Sequence, residues 1–245
     1  MRDYDPQSPL IFIHVPKTAG IAVQAIVKKW FSRSYHEHYF DDKKGRMPKR
    51  LSPRVLNKKT RPPLIYGHFN KLRNFGVQDY YPTVSQFVTI LRDPYEMAIS
   101  TYFYVRKQGP NHWLYQSCQV SLEDYVKNKK SRMLNHFPRE MNISNFREFL
   151  EKDFIEIGIT EMLPKSLERI AGKLNKKFDP SSLLRVNVTE RDTSLSDSHR
   201  DLFVDAHPLE FAIYEYARSR FVTAKRAEMT LSQGRAPTTA QTEKV

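Results

Sequence analysis

An α/β fold with a mainly parallel central sheet of about five strands is the class this sequence predicts, and three observations predict it. Short runs of branched and aromatic residues alternate with longer stretches of helical period. Helix-start signals follow two of those runs directly. A chain of 245 residues with 40% apolar content can also bury one sizeable core. The expected organisation is therefore a single domain over residues 1–229, with a tail at 230–245.

Five strands are expected: Leu10 to Val15, Leu64 to Tyr66, Phe87 to Leu91, Ile155 to Ile159 and Leu184 to Val188. Each is bounded by polar residues, Gly or Pro. The first helix is expected from about Thr18 to Phe31, with Ile21, Ala25, Val27 or Lys28, and Phe31 on its inner face. Asp93-Pro94-Tyr95-Glu96 carries a fuller start signal: an N-cap Asp, Pro at the first helical position, and a Glu placed to reach back to the cap amide. Ser121-Leu122-Glu123-Asp124 starts another helix, and Leu163, Leu167, Ile170 and Leu174 share one face of a further one. Pro208 separates a helix at Asp197 to Ala206 from a long last helix over Leu209 to Met229. Residues 40–63, rich in Lys, Arg and Pro, read as an exposed basic loop or loosely helical insertion. The polar segment after Thr230 has no apolar face and reads as disordered.

Forty Lys and Arg against 27 Asp and Glu give a net charge of +13, which favours anionic substrates, nucleic acids or acidic surfaces without choosing among them. The lone Cys118 excludes an intrachain disulfide and fits a reducing compartment; its plain reading is an inert thiol. The first apolar run is six residues long, too short for a signal sequence core or a membrane span. The matches to the glycosylation sequon at Asn142 and Asn187 lack an export context and carry no weight.

Two motifs carry chemistry. In Ile11-Phe12-Ile13-His14-Val15-Pro16-Lys17-Thr18-Ala19-Gly20 a strand ends in a tight loop that feeds a helix. Unpaired amides and partial positive charge at a helix N-terminus suit an anion there, and Lys17 adds a full charge, Thr18 a hydroxyl and Gly20 room for close approach. Alone, this is equally an ordinary strand–helix turn, and it is not a Walker A loop. In Phe87-Val88-Thr89-Ile90-Leu91-Arg92-Asp93-Pro94-Tyr95-Glu96-Met97-Ala98-Ile99-Ser100, Arg92 stands at a strand end and Ser100 about two turns into the following helix. The planar fork of Arg suits a phosphate, though a plain ion pair with Asp93 or a helix carboxylate explains it as well.

Together, His-Val-Pro-Lys-Thr-Ala-Gly and Leu-Arg-Asp-Pro-Tyr-Glu-x-Ala-x-Ser resemble the donor-binding signature of the carbohydrate sulfotransferases that use 3′-phosphoadenosine-5′-phosphosulfate (PAPS), the group of the heparan sulfate 2-O- and 6-O- and chondroitin sulfotransferases. The likeness extends over most of the chain, through Ile157 to Met162 and more weakly through Leu184 to Glu190 and the Ala212-Ile213-Tyr214 helix. It implies a three-layer, P-loop-like fold and transfer of a sulfuryl group from PAPS to an acceptor hydroxyl, that of a glycan or another anionic small molecule or polymer. By the same likeness Pro16, Lys17, Thr18, Ala19, Gly20 and Ile21 surround the donor's 5′-phosphosulfate, and Arg92 with Ser100 holds its 3′-phosphate. The chain departs from the family at Ile21 and Ala22, where hydroxyl residues are common.

Sulfuryl transfer leans on positioning and charge stabilisation, so Lys17 is the candidate for the leaving oxygen and no metal is required. His68 is the candidate base. It follows a strand end in Ile65-Tyr66-Gly67-His68-Phe69, where α/β sheets place ligands, and it matches a glycine-histidine element of the 2-O-sulfotransferases. The plain alternative is a packing or capping histidine. His14 reads as core, and His36 and His38 as either cleft-lining or solvated; Glu37 and Glu161 are reserve bases. Tyr102, Phe103 and Tyr104 read mostly as core. Neither nucleic acid nor a membrane span is expected, and the family likeness without the anchor of Golgi members suggests a bacterial-type cytoplasmic enzyme or an excised soluble domain. Two other classes stay open: a P-loop-like small-molecule kinase, for which no magnesium-binding acid is evident, and a non-enzymatic polyanion binder, which predicts steep salt dependence without a nucleotide requirement.

Overall fold

The structure is a computed structural model that describes residues 1–128, 132–183 and 197–233, with side chains omitted at 197 and 223–233. Its centre is a five-stranded sheet of order β2-β3-β1-β4-β5, formed by β1 Leu10–His14, β2 Tyr35–His38, β3 Leu64–Gly67, β4 Phe87–Leu91 and β5 Phe154–Ile159. Every pairing is parallel. The helices are α1 Gly20–Phe31, α2 Pro53–Leu56, α3 Val77–Tyr80, α4 Pro94–Gln108, α5 Leu122–Asn128, α6 Phe146–Asp153, α7 Leu163–Lys173, α8 Asp197–Ala206 and α9 Pro208–Gln233.

Strand alternation divides the core into two apolar layers, as expected where helices cover both faces of a parallel sheet. Leu10, Phe12, Leu64, Tyr66, Val88, Ile90 and Ile155 pack against Val23, Ile26 and Val27 of α1 and Leu167 and Ile170 of α7. Ile11, Ile13, Ile65, Phe87, Leu91, Ile157 and Ile159 face the other way, against Met97 of α4, Phe149 and Leu150 of α6 and Ile213, Ala217 and Phe221 of α9. The sheet is thus the middle layer of three. Among the described residues no helix is long and apolar enough to cross a membrane.

Four of the expected strands are present. The fifth strand is β2, which the sequence reading missed, whereas the segment Leu184 to Val188 lies outside the described residues. The sequence of β2, Tyr-His-Glu-His, has no aliphatic residue to signal a strand, and it sits at a sheet edge paired only with β3. Gly67 admits it: a Cβ there would lie 2.0 Å from the His38 carbonyl oxygen. The room made by Gly67 therefore serves the neighbouring backbone.

Two local details also differ. Helix α1 begins at Gly20 instead of Thr18 because Lys17 (φ 69°) and Ala19 (φ 59°) are left-handed. Its buried face is Ala22, Val23, Ile26 and Val27, about one position round from the predicted stripe, which leaves Ile21 67% exposed. At α4, Asp93 accepts from the Glu96 amide at 3.0 Å as its cap. The return bond comes from elsewhere: the Asp93 amide donates to Glu161 at 3.0 Å, and Glu96 stands 3.6 Å from Arg92. The loop between Tyr39 and Pro63 holds one antiparallel bridge, Asp41 with Arg46, and the single turn of α2.

Candidate functional site

The connections leaving β1 and β4 turn to opposite faces of the sheet, β1 into α1 and β4 into α4. Such a divergence opens a crevice at the carboxyl ends of the strands. Here a pocket is lined by Val15, Pro16 and Lys17 after β1, His68 and Asn70 after β3, and Met97, Thr101 and Tyr104 of α4. Its outer wall comes from residues remote in sequence, among them Phe40, Arg73, Trp113 and Arg132.

The loop from Pro16 to Ala19 is unusual for non-glycine backbone. Left-handed residues at 17 and 19, with Thr18 between them, turn the chain sharply, and each costs roughly 1 kcal/mol that the surroundings must hold. Thr18 fastens the turn from inside: it is buried, and its hydroxyl donates to the Val15 carbonyl at 2.7 Å. That hydroxyl proton therefore serves the loop. No side chain caps α1, and no acidic residue sits in its first turn, so its leading amides face outward without a carboxylate competitor. Gly20 is required by close packing, because a Cβ there would fall 1.7 Å from Nε2 of His14.

Arg92 is tied to this loop at Lys17. The Arg92 guanidinium donates to the Lys17 carbonyl at 3.3 Å, and the Lys17 amine lies 3.9 Å from the centre of the Tyr104 ring. Burial, with help from the Arg92 charge, lowers the Lys17 amine to a pKa of about 8. Tyr104 is thus 39% exposed beneath a cation, whereas Tyr102 is buried; the aromatic run was not uniformly core.

His68 enters the same pocket. Its ring is 4.4 Å from His14, 4.9 Å from Tyr39 and 6.0 Å from His136, centroid to centroid. Its Nε2 is buried without a hydrogen-bond partner. Burial first, then the neighbouring imidazoles, hold its pKa well below the ordinary histidine value, so the ring is neutral at physiological pH.

The pocket brings Pro16, Lys17 and His68 together. Thr18, Ala19, Gly20, Ile21, Arg92 and Ser100 are outside its lining. Arg92 reaches the loop directly, and Ser100 is buried after the second turn of α4. The remaining candidates fall elsewhere. His14 is bonded to the Tyr39 hydroxyl at 2.9 Å and wedged beside Gly20. His38 is neither solvated nor cleft-lining: it is fully buried, stacked on Phe69 and 3.1 Å from the Phe75 carbonyl. Glu37 is half exposed, 3.7 Å from Lys28, and Glu161 receives the Asp93 amide; neither lines the pocket. Cys118 is buried and free. Among the described residues no group of three or more His, Cys, Asp and Glu is arranged to hold a metal ion.

Within the outer wall, Arg73, His112 and Trp113 were missed: they share no motif, and only the folded chain gathers them with Phe40 and Arg132. An Arg-Asn-Phe and a His-Trp pair in loops were the only signals available.

The sequence matches no protein-family model and has no significant match among curated proteins. Among solved structures the chain is similar to mouse sulfotransferase SULT7A1 complexed with PAP, at 15% sequence identity and a TM-score of 0.42. The similarity covers 74% of this chain and 63% of that one, less than two thirds of the mouse protein's chain.

Proposed function

We propose that this protein is a PAPS-dependent sulfotransferase acting on an acceptor hydroxyl, a carbohydrate's by the family resemblance of its motifs. One observation carries the reading: Lys17 stands where the turn before the uncapped start of α1 meets a pocket that also holds a neutral imidazole with an unpartnered nitrogen. That is the combination transfer to a hydroxyl needs, a held anion on one side and a proton acceptor on the other.

Bound PAPS would supply an activated sulfuryl group whose release leaves negative charge on a phosphate oxygen. The residues fit such a donor. The uncapped start of α1 and the left-handed turns at 17 and 19 present amides to an anion. Lys17 adds the charge that stabilises the leaving oxygen, and Arg92 and Ser100 hold the second phosphate. His68 takes the acceptor's proton, its imidazole held neutral by its enclosed setting. With Ile21 exposed and Ala22 buried, anion binding at α1 rests on backbone amides and not on side-chain hydroxyls.

Calorimetry with adenosine 3′,5′-bisphosphate, without magnesium, tests the donor site. We expect micromolar binding by wild type and a loss of about tenfold or more for Arg92→Ala and Lys17→Ala, as for a lost charge-assisted contact. His68→Ala should keep that affinity and lose turnover by about a hundredfold or more, as for a missing general base. A folded wild-type protein that does not bind the bisphosphate ends this reading and brings the polyanion binder forward.

A further inference from the structure

Resting on that reading of the site, we propose that Arg73, Trp113 and Arg132 form an acceptor subsite that selects a ring-bearing molecule with its own anionic group.

The wall is built for a flat body. Trp113 is 49% exposed, with the Arg132 guanidinium 4.9 Å from its ring and that of Arg73 5.2 Å away. Arg73 is held in turn by Phe40 at 4.0 Å and Phe75 at 5.4 Å, two rings that stack on each other. Aromatic contacts of this kind fix the plane of a guanidinium and leave its N–H edge for a ligand.

The charge balance calls for an anion. Among the described residues the pocket lining holds three cations, Lys17, Arg73 and Arg132, against the one carboxylate of Asp42. Asp42 lies 3.3 Å from Arg73 and is 65% exposed. With its carboxylate mostly exposed, this pair is worth at most about 1 kcal/mol, so an incoming carboxylate or sulfate that takes both N–H groups of the Arg73 fork displaces Asp42 at little cost. His112 adds a neutral donor: its Nδ1 accepts from the Leu114 amide at 3.1 Å, which puts the ring proton on Nε2.

Two kinds of molecule share this chemistry, a sugar acid and an aryl acid, and paired probes separate them. Calorimetry would compare methyl β-D-glucuronide with methyl β-D-glucoside, and 4-hydroxybenzoate with phenol, each with and without adenosine 3′,5′-bisphosphate. We expect the acid of at least one pair to bind about tenfold or more tightly than its neutral partner, and the responding pair names the ring. Arg73→Gln and Arg132→Gln should each remove most of that preference, Arg73→Lys should restore only part of it, and Asp42→Asn should strengthen it. Equal binding within both pairs, no binding of either acid at millimolar concentration, or a preference that survives both glutamine variants would overturn the subsite. The bisphosphate titration of the same proteins is read separately, so a failed donor site is distinguishable from a failed acceptor wall.

Discussion

Lys17 has the most consequential environment of any single residue here. Its amine is enclosed beside Arg92, and both effects favour the neutral form, which brings its pKa down to about 8. An anion at the loop needs the charged form. Affinity of the free protein for adenosine 3′,5′-bisphosphate is therefore expected to hold from pH 7 to about 8 and to fall above it, in a titration that Lys17→Arg shifts out of the accessible range. An affinity flat to pH 9.5 would separate Lys17 from the donor. His68 is the counterpart on the acidic side: its depressed pKa keeps it neutral below the usual histidine range, so no loss of the proton acceptor is expected between pH 7 and 6.

Among the elements, α4 depends on a cap shared with two distant segments. Asp93 caps the helix through Glu96, receives Arg200 of α8 through a bidentate pair, and is itself 7% exposed. Its amide is taken by Glu161 beyond β5. Asp93→Ala removes the cap and leaves Arg200 without that carboxylate, so a loss of about 2 kcal/mol or more is expected in urea unfolding. Asp93→Asn, whose carbonyl oxygen can still cap, should lose less. Since Arg92 precedes the cap, both changes should also weaken bisphosphate binding in the same order. The β2 edge shows how an element escapes periodicity: four polar and aromatic residues become a strand because Gly67 lets the His38 backbone approach.

At the scale of the whole molecule, four enclosed histidines set the response to acid. His14 is lowered to about 3, His38 and His136 to about 4, and His68 well below its ordinary value, each chiefly by burial. A histidine pKa depressed on folding contributes stability that is present above the unfolded value near 6.5 and is lost as pH falls toward the folded value. Each such imidazole takes about 1.4 kcal/mol per pH unit across that window. Glu210 acts in the opposite sense, since burial raises it to about 7 and its contribution is lost as pH rises through that value. Four imidazoles outweigh one carboxyl, so the midpoint of thermal unfolding should be lower at pH 5 than at pH 7.5 by roughly 10 °C. An unchanged or higher midpoint would show that the histidines are hydrated.

Much of this fold was legible in the chain. Strands β1, β3, β4 and β5 were readable because each is a run of branched or aromatic residues that the sheet buries on both faces, and α7 and α8 because periodicity and Pro208 mark them. The tight turn from Pro16 to Gly20 between β1 and α1 was readable too, since a strand, a lysine loop and a helix start occur within a few residues. Local sequence determines such features because their interactions are local. It did not determine β2, the rotation of α1 that exposes Ile21, the Glu161 bond to Asp93, or the meeting of His68 with His14, Tyr39 and His136. Those depend on parallel pairing and on close approach at Gly20 and Gly67, which bring together residues far apart in the chain. The aromatic and cationic wall of the pocket is of the same kind: Phe40, Arg73, Trp113 and Arg132 become one surface only when their loops converge at one end of the sheet.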